Sequence, residues 1–85
     1  MKTLEQIIEN ERVHAHKGGE YGLDACKESI LSTIKTNKML NERNGKQTYT
    51  TSLYVLLEDY VDRANADPFF NSAMVLACWE LINKQ

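Results

Sequence analysis

The chain has 85 residues, of which 42% are apolar and 26% charged, with a net charge of -2. That composition fits one small folded helical domain over residues 1–85 and is too apolar and too weakly charged for a disordered chain. It also lacks the basic excess typical of a protein that lives on DNA, and two cysteines cannot build a disulfide scaffold.

The first predicted helix runs from about Thr3 to Lys17. Thr3 and Gln6 have the spacing of a capping box, in which each side chain satisfies the other residue's backbone N–H. Leu4, Ile7 and Ile8 recur at one-turn intervals and mark the buried face. Gly18-Gly19 is expected to end this helix. The start, MKTLEQIIENER, turns acidic where a secretion signal would be apolar, so a cytoplasmic protein is expected.

A second helix is predicted from about Leu23 to Arg43. Leu23, Cys26, Ile30, Leu31 and Ile34 form its apolar stripe. Asn37, Lys38 and Asn41 then replace apolar residues on that stripe, so the last two turns are expected to protrude or bend away. Asn44-Gly45 stops the helix, and a polar loop follows from Lys46 to Thr50. Thr51 or Ser52 caps a third helix that extends to about Ala66. Leu53, Leu56, Leu57, Tyr60, Val61 and Ala64 face its core, and Glu58, Asp59 and Asp62 its opposite side.

Asp67-Pro68 reads as an N-cap followed by the first residue of a fourth helix, Pro68 to Asn83. This segment is apolar nearly all round, which indicates burial on most sides. The expected architecture is therefore all-α: a compact bundle of about four helices, with the C-terminal helix central or at a dimer interface. Trp and Met favour interfaces, and symmetric pairs are the commonest oligomers, so a homodimer is the simplest expectation. No apolar run is long enough to span a membrane.

Catalytic and metal-binding patterns are weak. His14 and His16 point about 200° apart on a helix, and no short Cys or His spacing suits zinc. Cys26 and Cys78 lie on apolar faces and read as core residues. The glycine-rich stretch His16–Gly22 lacks the spacing of a phosphate-binding loop and reads as a turn, with a contact loop as the alternative. No metal, no cofactor and no enzymatic activity are expected.

The stretch Met74–Leu81, MVLACWEL, resembles the tail of one family of small phage anti-CRISPR proteins, through Cys78-Trp79-Glu80 and the overall length. That family begins with a strand, whereas this chain begins with helices, and no functional residue is carried over. The short, acidic, single-domain profile is similar to that of small accessory proteins of phages and mobile elements.

The expected function is a non-enzymatic protein-binding module, an inhibitor or regulator that occludes a partner protein's surface. Phe70, Met74, Trp79 and Ile82 are its expected apolar contacts, and Glu58, Asp59 and Asp62 its steering charges. The alternative is a nucleic-acid or nucleotide binder using Lys35, Lys38, Arg43, Lys46 and Tyr49.

Overall fold

In the computed structural model, which describes residues 1–84, four helices are present: α1 (Leu4–His14), α2 (Leu23–Asn44), α3 (Leu53–Ala66) and α4 (Ala73–Asn83). Among the described residues there is no strand.

The apolar segment near the C-terminus organises the rest. Val75, Leu76, Ala77 and Cys78 are consecutive and all buried. At 100° per residue, four consecutive positions face nearly every direction around a helix. Their burial therefore requires neighbours on several sides, and α4 packs against α1, α2 and α3. The three outer helices make few contacts with one another. Ile7, Ile8, Cys26, Ile30, Leu53, Leu56, Leu57 and Tyr60 complete the core around α4. The bundle is all-α, with the C-terminal helix as its hub.

Helix ends written in local chemistry are where the spacing predicts them. Thr3 Oγ1 accepts from Gln6 N at 3.2 Å, and Gln6 Oε1 accepts from Thr3 N at 2.9 Å, a complete capping box. Ser52 Oγ accepts from Val55 N at the start of α3. Gly45 ends α2 in the left-handed region, at φ 70°, where a side chain would be strained.

Two boundaries differ from the sequence expectation. The first helix stops at His14, and Ala15 is already extended. Residues 16 and 17 are needed elsewhere: the His16 and Lys17 carbonyls accept from Leu23 N and Asp24 N, at 2.8 and 3.0 Å. These are otherwise unpaired donors of the first turn of α2, whose N-cap, Gly22, has no side chain to serve them. The 15–22 loop is thus a backbone cap. It closes so tightly that a Cβ on Gly22 would stand 2.2 Å from the Gly18 carbonyl oxygen.

The fourth helix begins at Ala73, not Pro68. Asp67 does accept a hydrogen bond, from Phe69 N to Oδ1 at 2.9 Å, but this closes a single turn. Phe70 then leaves helical geometry and stacks on Tyr60, with ring centroids 6.0 Å apart. Asn71 reaches across to the Tyr21 carbonyl at 2.9 Å, and its Oδ1 accepts from Ala73 N to restart the helix. These long-range contacts outweigh the local N-cap signal.

The polar end of α2 has a role of its own. Buried Asn41 uses its whole hydrogen-bonding capacity on the following loop. Oδ1 accepts from Thr48 N (3.0 Å) and Tyr49 N (2.9 Å), while Nδ2 donates to the Tyr49 carbonyl (2.8 Å) and Gln47 Oε1 (3.2 Å). One turn earlier, Asn37 Nδ2 donates to the Thr50 carbonyl at 2.8 Å. The last turns of α2 neither stop nor protrude idly; they hold the connection to α3.

Candidate functional site

Because α1, α2 and α3 each lean on α4 rather than on each other, shallow grooves remain between them. Two open beside α3. In the first, Leu4, Leu57 and Val61 line an apolar depression of about 280 Å³, with Glu58 and Asp62 at its edge. In the second, of the same size, Leu31, Ile34 and Leu53 are flanked by Tyr54, Thr51 and Lys38. Tyr54, Glu58 and Asp62 stand four residues apart, so they form one ridge along α3 that connects the two depressions. Tyr54 is 65% exposed, Leu31 52% and the neighbouring Val55 50%. The combination is an apolar surface with carboxylates on one side.

The N-terminus is fixed at the far end of this face. Asn65 forms a two-point backbone pair with Lys2, accepting from Lys2 N at 2.7 Å and donating to the Lys2 carbonyl at 2.9 Å. Fully exposed Met1 thereby sits beside Asp62, Asn65 and Ala66.

The structure divides the acidic patch. Glu58 and Asp62 rim the first depression, whereas Asp59 pairs with Arg63 at 3.0 Å along the helix. It also separates the expected apolar contacts. Ile82 is enclosed at 9% exposure, and Phe70, Met74 and Trp79 are half-buried against the core. The apolar excess of α4 is therefore largely covered by its own chain. Large exposed apolar side chains lie instead on other elements, among them Leu31, Tyr54 and Val55; Phe69, 94% exposed, marks the turn before α4. The spacing places Leu31 on the buried stripe of α2, but it stands at the edge of that stripe and is half exposed. Tyr54 and Val55 carry no such signal, because an isolated apolar residue on a polar face reads as ordinary surface.

Part of the basic run borders a depression. Lys38 and Lys46 border a depression with Asn41, Glu42 and Gln47, while Lys35 and Arg43 lie on exposed parts of α2 outside it. Tyr49 is held by its backbone to Asn41 and leaves its ring partly exposed.

Neither cysteine is set up as a nucleophile. Both are buried and unpaired with one another. Burial pushes the Cys78 thiol up to about 11, and its Sγ donates to the Leu53 carbonyl at 3.3 Å. Burial, with a smaller contribution from Glu11, raises Cys26 as well. A thiol held protonated in this way is a poor nucleophile. His14 and His16 are exposed. Among the described residues, no group of three or more His, Cys, Asp or Glu side chains is placed to hold a metal ion. Nor is any helix long and apolar enough to cross a membrane.

Comparison with protein-family models, curated proteins and solved structures gives no significant match to this chain.

Proposed function

We propose that this chain is a non-enzymatic protein-binding module, an inhibitor or regulator that covers a functional surface of a partner protein. The observation that supports this reading is the outer face of α3. Tyr54 is exposed there at the rim of one depression, Val55 is exposed next to it in the chain, and Glu58 and Asp62 supply a directional charge at the rim of a second, apolar one. A tyrosine flanked by apolar surface is a common energetic centre of an interface. The carboxylates select a partner segment that is apolar on one side and basic on the other.

A second copy of the chain is a poorer occupant of this face. Two-fold pairing about it brings Glu58 and Asp62 towards their own counterparts, and like charges across an interface are costly. A homodimer is proposed instead through what remains exposed of Phe70, Met74 or Trp79, each of which is partly buried. The proposed setting is the cytoplasm, where buried Cys26 and Cys78 stay reduced. The proposed biological context is that of a small phage or mobile-element accessory protein.

The test is affinity capture from the native host with the wild-type chain, a Tyr54→Ala/Glu58→Lys/Asp62→Lys variant and a Lys35→Glu/Arg43→Glu control. The expected result is a protein partner retained by the wild type and the control but lost by the α3 variant. Capture that is indifferent to the α3 substitutions, with all three chains folded by circular dichroism, would refute the assignment.

A further inference from the structure

A broad cleft lies away from the Tyr54 ridge. It lies where α1, the 15–22 loop, α2 and the end of α4 meet, is widely open to solvent and has a volume of about 1090 Å³. Leu23 and half-buried Trp79 provide apolar surface within it. Four cations reach its walls from four different segments: Arg12 from α1, Lys17 from the loop, Lys27 from α2 and Lys84 from the end of the chain. Among the described residues that line it, two carboxylates, Asp24 and Glu80, oppose them. A chain of net charge -2 has thus assembled a net positive cleft.

One of the four cations is paired within the chain. Lys27 is tied to Glu80 at 2.7 Å, an ion pair that holds the lysine charged and its pKa above the usual value. Among the described residues, Arg12 and Lys17 pair with no carboxylate. Cations around an aromatic side chain suit a ligand with a flat ring at one end and concentrated negative charge at the other.

We propose that this cleft binds a small organic polyanion carrying a flat ring, of the nucleoside polyphosphate type. The ring rests on Trp79 and Leu23, and the phosphates lie between Arg12, Lys17 and Lys84. The site is independent of the α3 face, and it differs from the basic run at residues 35–46.

Trp79 is the only tryptophan in the chain, so its fluorescence reports the cleft directly. The experiment titrates the full-length protein with ATP, adenosine and inorganic tripolyphosphate at low ionic strength, with correction for absorbance. Saturable quenching by ATP is expected, with weaker binding of tripolyphosphate and no response to adenosine at equal concentration. The Arg12→Glu/Lys17→Glu variant should bind ATP about tenfold more weakly or worse, with an unchanged melting temperature. Lys46→Glu, outside the cleft, should leave the affinity unchanged. Absence of saturable quenching at millimolar ATP overturns the proposal. So does an affinity that the Arg12/Lys17 reversal leaves intact, or tripolyphosphate binding as tight as that of ATP.

Discussion

Replacing Asn41 with Ala tests whether the α2–α3 connection is held by one side chain. The substitution removes four hydrogen bonds, to Gln47, Thr48 and twice to Tyr49. At about 1 kcal/mol net each, the gross loss is about 4 kcal/mol. Two effects reduce it. Gln47, Thr48 and Tyr49 are exposed, so water replaces part of what Asn41 supplied. Alanine also favours the helix interior by about 0.5 kcal/mol over asparagine. The expected net destabilisation is about 2 kcal/mol, or roughly a 10 °C fall in melting temperature for a domain of this size. Urea unfolding followed by far-UV circular dichroism measures the first quantity. Amide exchange adds a local readout, because Thr48 and Tyr49 donate to Asn41 and should lose protection ahead of the α4 core. Gln47→Ala removes a single bond at an exposed position and should cost under about 0.5 kcal/mol. An Asn41→Ala protein within about 0.5 kcal/mol of wild type, with Thr48 and Tyr49 exchange unchanged, would show that the loop holds itself and that this reasoning is wrong.

Gly22→Ala places a methyl group against the Gly18 backbone at 2.2 Å, so the capping loop must open, at a cost of about 2 to 3 kcal/mol in chemical denaturation. Cys78 should resist thiol reagents until the protein is unfolded, and its titration should weaken the fold in alkali. The unfolded thiol ionises near 9.0 and the native one near 11, so stability is complete below pH 9 and falls as pH rises to 11. Two pK units correspond to about 2 to 3 kcal/mol, and Cys78→Ala should lack that share of the slope. Burial likewise raises Tyr60, which adds its own loss from about pH 10 upward, and the comparison with Cys78→Ala separates the two. Asn65→Ala releases Lys2 from α3 and should cost about 1 kcal/mol, read as increased amide exchange at Lys2 and a small drop in melting temperature.

Much of the fold was legible in the residues because the responsible interactions are local. The Thr3–Gln6 box, Ser52 and Gly45 each act within a few positions of themselves, and they mark helix ends where the spacing predicts. The all-round apolar character of residues 73–82 demanded neighbours on several sides, and α4 is indeed the hub. It could not tell which molecule supplies those neighbours. Three helices of the same chain cover most of that surface, so the strongest apolar signal marks the core rather than the exposed contacts. Tyr54 escaped notice for the converse reason, since singly it is an ordinary surface residue, and Leu31, at the edge of the α2 stripe, reads as core; only their adjacency across α2 and α3 makes a face of them.

Other features depended on distant partners. Asp67-Pro68 carries a sound N-cap signal, yet Phe70 turns aside to meet Tyr60 and the helix waits for Ala73. His16 and Lys17 have the makings of one more helical turn, but their carbonyls serve α2. The interruption of the α2 stripe at Asn37 and Asn41 was visible, while its purpose lay in a loop that folds back to meet them. Arg12, Lys17, Lys27, Trp79 and Lys84 span most of the chain and share no spacing. Composition and periodicity carry information over a turn or two of helix, which is enough to specify elements and their buried sides. Grooves, clefts and charge clusters arise between elements, so they exist only once packing has chosen which surfaces meet.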